Sequence, residues 1–384
     1  PPSMRALFEN TLQFGDKTYI VYEGEAMSYS EHYQQVVAVG NKLINDFGIG
    51  KGDRVAIAMR NYPEWSVAFW AATSIGAIVV PINAWWTPDE LEYGLNDSGV
   101  KVLFADQDRF DRFNAISKPT TVEHVVVARG NASGDKVVDY KKLLEGSAAD
   151  AKLPNINIAP DDDATIFYTS GTTGFPKGTL GTHRNFCSVV MNLGHTGIQT
   201  FLRNGGELQN LAALQSVPQA TLLTVPLFHV TGCLGTMLSM FSTGGKMVIM
   251  YKWDAAKAAQ LIEAEKITFF TAVPTMIWQL LDTPESQQCD LSSLQTLAYG
   301  GAPAPPELLR MIQTKTPHVS TANGWGLTEV SSGAASISGE AYIRKPDSVG
   351  PPVKVCDVKA FDENGNALGP NAVSYTHLTL PTNG

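Results

Sequence analysis

Cysteine is scarce in this sequence. The four present, Cys187, Cys233, Cys289 and Cys356, stand far apart, with no C-x-x-C pair and no His/Cys metal spacing. That excludes a disulfide scaffold and a zinc- or cluster-type centre, and reads as free thiols in a reducing, cytoplasmic compartment. Basic charge is also short, with 28 Lys and Arg against 37 Asp and Glu and a formal net charge of -9. Nucleic acid is thereby excluded as a general partner, and any anionic ligand must be held by local donors rather than by the overall field. There is no secretory signal, no fixed-period repeat and no basic amphipathic helix of the membrane-surface kind. Long apolar runs are absent but for one: Val67 to Trp86 carries no charge. It contains Thr73, Ser74, Gly76, Pro81 and Asn83, and reads as a buried helix followed by a short Val/Ile strand rather than a membrane span. The chain opens at Pro1-Pro2-Ser3 without methionine, and we expect its true start to lie upstream.

What is present is a globular composition, 44% hydrophobic and 17% charged over 384 residues, enough for a large core in two or more lobes. Lys17–Tyr22 alternates like a strand and 25–28 reads as its hairpin partner. Ser28 and Glu31 stand in capping-box spacing before a helix that ends near Gly48. Strands at 54–59, 77–82, 101–105 and 124–128 alternate with helices from Pro63 and Thr87, the pattern of parallel βαβ units in a doubly wound sheet. Residues 130–163 read as a polar linker. A second α/β series has strands at 221–225, 246–250, 267–271 and 294–298, with helices at 232–240, 254–265, 274–281 and 307–312. In such sheets ligands bind at the carboxyl ends of strands; His229, Gly300 and Asn323 are placed at strand ends.

The densest chemistry lies at 168–178, Tyr-Thr-Ser-Gly-Thr-Thr-Gly-Phe-Pro-Lys-Gly, after the apolar strand 164–167. Five hydroxyls, three glycines and Lys177 crowd this stretch. Glycines let backbone N–H groups turn inward, successive N–H groups make a concavity that suits an anion, and Lys177 adds a mobile positive charge. It is not the common P-loop: Pro176 stands where that motif has its second glycine, and Gly178 follows the lysine in place of Ser or Thr. Thr182 is the N-cap expected for the next helix.

This loop closely resembles the signature loop of the adenylate-forming (AMP-binding) superfamily, which includes acyl-CoA synthetases, firefly luciferase and peptide-synthetase adenylation domains. Three further motifs match in order: Pro226-Leu227-Phe228-His229-Val230, Tyr299-Gly300-Gly301-Ala302-Pro303 and Gly324-Trp325-Gly326-Leu327-Thr328-Glu329. The resemblance covers about 5–371. It implies the large N-terminal domain of an acyl-CoA synthetase: an α/β fold of two doubly wound, mostly parallel sheets with flanking helices and a partial β-barrel, starting near 347–371, with the small C-terminal domain absent. It implies an enzyme that uses ATP, Mg²⁺ and coenzyme A with a small carboxylic acid. Homodimerisation and peripheral membrane contact are left open.

The residue chemistry agrees. Attack of a carboxylate on the α-phosphate asks the protein for positioning and charge neutralisation. Thr169, Ser170, Gly171, Thr172, Thr173, Gly174 and Lys177 offer donors to the phosphates. By resemblance Thr172 and Glu329 hold Mg²⁺ and Thr328 an ATP phosphate; hard oxygen ligands with few carboxylates are what Mg²⁺ takes. Gly300, Gly301, Ala302 and Pro303 form the adenine-side loop, and Asn323 carries both donor and acceptor for a purine edge. Gly324 and Gly326 flank Trp325, which either stacks on adenine or borders the acyl pocket. Phe228, His229 and Val230 mark the acid pocket, and His229 gates it by resemblance. Thr172, Lys177, His229 and Glu329 are the candidate catalytic residues. No acidic residue stands in Phe228-His229-Val230-Thr231 to pair with a substrate amine, which favours a fatty or aryl acid over an amino acid.

The family's Thr-Gly-Asp motif, hinge and C-terminal catalytic lysine have no counterpart here, so we expect a truncated fragment whose full activity is in doubt. Residues 373–384 resemble the translation of a transposon-end sequencing adapter, and 372–384 are set apart as non-native. Two alternatives stay open: a nucleotide-binding module without chemistry, and a luciferase-like or peptide-synthetase adenylation domain.

Overall fold

The computed structural model describes residues 1–169, 174–203, 205–210, 217–362 and 364–369. Two sheets carry the fold. The seven-stranded sheet is built from β3 (Arg54–Ala58), β4 (Ile78–Pro81), β5 (Val100–Asp106), β6 (His124–Ala128), β7 (Val137–Asp139), β8 (Asp163–Thr169) and β9 (Lys177–Thr182), in the order β7-β6-β5-β3-β4-β8-β9. The eight-stranded sheet contains β1 (Thr18–Tyr22), β2 (Glu25–Ser28), β10 (Ala220–Leu223), β11 (Lys246–Ile249), β12 (Phe269–Ala272), β13 (Thr296–Gly300), β14 (Ser320–Leu327) and β15 (Ser332–Ser338), in the order β15-β14-β13-β12-β10-β11-β1-β2. Interior pairs are parallel, while the pairs β8/β9, β14/β15 and β1/β2 at the sheet edges are antiparallel.

In each sheet the chain winds outward in both directions from one strand. β3 has β4 on one side and β5 on the other; β10 has β11 on one side and β12 on the other. The carboxyl ends of β3 and β10 are therefore the switch points where an open α/β sheet leaves a crevice.

Helix α1 (Met4–Asn10), α2 (Tyr29–Asn45) and α3 (Pro63–Ser74) pack near the seam between the sheets. α2 starts with the full capping box expected of Ser28 and Glu31. α3 is buried on all sides but Glu64, and its Trp65, Phe69 and Trp70 share one core with Tyr19, Phe186 and Phe241. This explains the charge-free run at 67–86: the helix half lies between two sheets and has no solvated face. Among the described residues no helix is long and apolar enough to cross a membrane.

The expected β1/β2 hairpin forms, and it joins β11 in the second sheet. Four expectations are corrected. The stretch 130–163 is not a plain linker; it contains β7 and the short helix α6 (Tyr140–Leu144), after the helices α4 (Pro88–Ser98) and α5 (Gln107–Asn114). The helix expected from Gly232 begins as a π-turn at Thr231–Met237, where Leu238 N–H bonds the Cys233 carbonyl, before α-winding resumes at Leu238–Thr243. Gly232 permits this, because a side chain there would run into the Pro226 carbonyl. Asn323 is not at a strand end but inside β14, which runs on to pair with β15. Finally, no barrel forms among the described residues after 347: there are only isolated bridges, Ala335 with Pro352 and Phe361 with Ala367, the second closing the turn at Asn364-Gly365. The tail set apart at 372–384 lies outside the described residues.

Candidate active site

The signature loop is the tip of a hairpin. β8 rises beside β4 and β9 returns antiparallel to it, the ladder closing at Thr169 opposite Lys177. Ser170, Gly171, Thr172 and Thr173 lie outside the described residues. Gly174 takes a left-handed φ of 102° with nothing within 4 Å of a would-be side chain, a conformation that favours glycine. Lys177 is exposed as the first residue of β9 rather than part of a free loop. The Thr169 hydroxyl donates across the hairpin to the Lys177 carbonyl at 3.5 Å. Tyr168 does not contribute its hydroxyl to the cradle: it donates to the Asp97 carboxylate at 2.6 Å, and its ring meets Trp86 edge-on. Tyr93 donates to the Pro176 carbonyl at 3.1 Å and packs against Phe175. Both sides of the loop are thus moored to α4.

The motif at 324–329 lies along β14 and the turn after it. Thr328–Val330 forms that turn, and Ser331 and Ser332 follow at φ 56° and 105°. Two consecutive non-glycine residues in the left-handed region store local strain, a feature that clusters at functional sites. The turn packs against β9, and a Cβ on Gly181 would stand 3.9 Å from Ser331 Oγ. Glu329, exposed on this turn, therefore sits beside the stem of the signature hairpin.

Gly300 ends β13 in register with Gly324, and Tyr299 with Asn323. The approach is close: a Cβ on Gly300 would lie 2.6 Å from the Gly324 carbonyl oxygen. Gly301 is left-handed at φ 76° and, with Ala302 and Pro303, exposed. These residues leave bare backbone beside β14. Asn323 Nδ2 donates to the Ser348 carbonyl at 3.4 Å. Trp325 is half-buried in the β14/β15 ribbon opposite Ala335, and Gly326 pairs with Gly333 there.

The 226–230 turn stands at the carboxyl end of β10, the switch point of its sheet. His229 N–H donates to the Pro226 carbonyl at 3.1 Å, closing the turn, and Cys233 N–H to the His229 carbonyl at 2.9 Å. Val230 is buried in the core and Phe228 against Trp85, so His229 alone is exposed. The protein around the rest of its ring desolvates it and holds its pKa below the ordinary imidazole value.

The hairpin stem at Thr169, the Gly300 end of β13, the Glu329 turn and His229 thus lie at or just past the carboxyl ends of strands, with Asn323 inside β14. Sequence reasoning missed Asn61 and Trp85, which reach the 226–230 turn from the first sheet. Both lie just past strands that were legible, at 54–59 and 77–82, so the strand-end rule that selected His229 had the signal to find them. Among the described residues no group of three His, Cys, Asp or Glu is placed to hold a metal. One exposed carboxylate, Glu329, beside the signature hairpin would suit Mg²⁺ without such a group, since that ion keeps water and substrate ligands.

The comparisons with known proteins agree with this fold. The model of the AMP-binding enzyme family matches residues 7–374. A 4-coumarate–CoA ligase of Humulus lupulus is 28% identical over 370 residues, covering 94% of this chain and 64% of its own length. A long-chain-fatty-acid–CoA ligase of Mycobacterium tuberculosis, FadD13, is 30% identical over 342 residues, covering 87% of this chain and 62% of its own length. The chain thus spans somewhat less than two thirds of the curated relatives it matches. Among solved structures, the inhibitor-bound N-terminal domain of FACL13 from Mycobacterium tuberculosis superposes with a TM-score of 0.81 at 26% identity, over 96% of this chain and 86% of that one. With two mostly parallel sheets, four ordered motifs and a family match over nearly its whole length, this chain belongs to the AMP-binding enzyme family.

Proposed function

We propose that this chain forms the nucleotide- and acid-binding part of an AMP-forming acid–CoA ligase. A carboxylate oxygen of the substrate attacks the α-phosphorus of ATP, the bond to the bridging oxygen breaks, and pyrophosphate leaves. The thiol of coenzyme A then loses its proton and attacks the acyl carbonyl, and AMP leaves. The observation that carries the reading is the meeting of the signature hairpin with the Glu329 turn, next to the bare-backbone step at Gly300–Gly324.

In this reading Thr169, Ser170, Gly171, Thr172, Thr173, Gly174 and Lys177 grip the β- and γ-phosphates, and Thr328 donates to a phosphate oxygen. Gly300, Gly301, Ala302 and Pro303 let the flat base approach the main chain, and Asn323 faces its edge. Gly324, Trp325 and Gly326 make the opposite wall. Glu329 and Thr172 would hold Mg²⁺, which supplies charge neutralisation on the phosphates. His229, whose pKa is lowered by desolvation, guards the acid side with Phe228 and Val230. A fatty or aryl acid fits best, because the 228–231 turn offers no carboxylate to a substrate amine. The FadD13 and 4-coumarate ligase likenesses support both acid classes. A cytoplasmic location is proposed on the four free cysteines.

The test is calorimetric. Glu329→Gln and Thr172→Ala should weaken MgATP binding about tenfold, roughly 1.4 kcal/mol, and leave AMP binding unchanged. Equal MgATP affinity in both variants would remove these residues from the phosphate and metal roles.

A further inference from the structure

The two switch points of the fold are tied together by residues the proposed chemistry does not use. Asn61 follows β3, at the switch point of the first sheet, and is only 5% exposed. Its Nδ2 donates to the Val225 carbonyl at 3.1 Å, and its Oδ1 accepts from Leu227 N–H at 2.8 Å. The carboxamide thus brackets Pro226 from both sides and clamps the turn that ends in His229. Burying a carboxamide is costly unless it is paired, and both of these bonds are spent on a turn of the other sheet.

Trp85 is the second clamp. It is 52% exposed, and its ring meets Phe228, the residue before His229, edge-on at 5.1 Å. Its own loop is held firmly. Trp85 N–H donates to Asn83 Oδ1 at 2.9 Å, Arg109 Nε to the Ala84 carbonyl at 2.8 Å, and Arg112 Nη1 to the Trp86 carbonyl at 2.9 Å. The Arg60 guanidinium lies over Trp85 at 5.1 Å and over Tyr251 at 4.9 Å, and also donates to the Tyr251 carbonyl at 2.9 Å. A large exposed aromatic supported in this way is displayed by its surroundings.

We propose that Asn61 and Trp85 are positioning residues for His229, through which the first sheet sets the geometry of the acid side of the site. The functional half of this inference rests on the reading of the 226–230 turn given above; the positional half does not. Asn61 fixes the backbone of the turn, and Trp85 holds the side chain of Phe228, the residue before His229 in the chain. Neither touches the nucleotide motifs at 299–303 or 324–329. Perturbing them should therefore change acid handling and leave nucleotide handling alone.

The first experiment follows the His229 ring by NMR in protein carrying ¹³C-labelled histidine, with the resonance assigned by its loss in His229→Gln. In the parent protein the ring should titrate below the ordinary imidazole value, since the protein beside it desolvates it. In Asn61→Ala the turn is released, the covered side of the ring loses the protein that desolvates it, and the midpoint rises toward about 6.5. Trp85→Ala, which removes an exposed ring, should fold normally and raise the midpoint in the same direction. A merely structural role would lower the melting temperature and leave the midpoint in place. An unmoved midpoint in folded Asn61→Ala overturns the proposal; where that variant does not fold, an unmoved midpoint in Trp85→Ala does so. The second experiment is a double-mutant cycle in acid-dependent pyrophosphate exchange. With His229→Ala already present, adding Asn61→Ala should cost little more, and the KM for ATP should be unchanged throughout. Fully additive losses would overturn the proposal. If no acid supports exchange, the functional reading fails, while the NMR titration still decides whether Asn61 and Trp85 position the ring.

Discussion

Replacing Gly300 by alanine probes the nucleotide side of the site most sharply. The added Cβ would lie 2.6 Å from the Gly324 carbonyl oxygen, where ordinary contact needs about 3.4 Å. The obstacle is main chain, so no side chain can swing away. β13 and β14 must part by most of an ångström at their Gly300–Gly324 step, enough to spoil the ladder bonding there. Overpacking of this kind costs about 1–3 kcal/mol, read as a lower midpoint in urea. The same displacement moves Gly324 and its neighbour Asn323, which sit opposite the bare-backbone loop. AMP affinity should fall about tenfold, equivalent to roughly 1.4 kcal/mol. Gly333→Ala on β15 is the control: nothing lies within 4 Å of its Cβ and its φ is not left-handed, so stability and AMP affinity should match the parent. If Gly300→Ala were as stable as Gly333→Ala and bound AMP equally well, close approach would not be the reason for glycine at 300. Lost stability with intact AMP affinity would refute the adenine-side assignment alone.

Three further outcomes are expected. Arg109→Met removes the charge partner of the buried Asp106 carboxylate, Arg109 Nη1 at 3.0 Å, and leaves it only the backbone N–H groups of Arg60 and residue 109; it should cost about 3 kcal/mol in urea denaturation, and a loss under about 1 kcal/mol would show the pair to be dispensable. His183 is fully buried, and burial pushes its pKa down to about 4, against the opposing pull of Asp162. A base with a depressed folded pKa contributes stability above its unfolded value, so stability should fall as the pH drops from about 6.5 to 4, by up to about 3 kcal/mol from this group. His183→Gln should flatten that part of the profile, and an unchanged slope would reject the assignment. Ser28→Ala removes the capping box of α2 and should cost about 1 kcal/mol by thermal melting.

Much of the fold was legible because its strands are short apolar runs punctuated by glycine and proline, and because the caps at Ser28, Thr87 and Asp254 are strong local signals that the structure uses as such. What was not legible is pairing. Nothing in Lys17–Tyr22 says that this hairpin will leave the strands that follow it and join β11, since partner choice is made over more than two hundred residues. β9 was missed for a related reason: Lys177-Gly-Thr-Leu-Gly-Thr has little strand propensity and is held as a strand by its neighbour β8. The π-turn after His229 is likewise a tertiary feature, permitted by the close approach of Gly232 to the Pro226 carbonyl. For the site, the motifs gave the residues but not their company. Tyr168 counted as a cradle hydroxyl until Asp97 claimed it. Asn61 carried no motif at all, and its role exists only because two switch points face each other.

The central claim is that these motifs activate a carboxylic acid with ATP. Its most direct test is exchange of labelled pyrophosphate into ATP, run with a panel of fatty and aryl acids on this chain and on the product of the open reading frame that encodes it. The account predicts exchange that depends on the acid and is lost in Glu329→Gln. Tight MgATP binding with no acid-dependent exchange in either protein, for any acid of the panel, would contradict it.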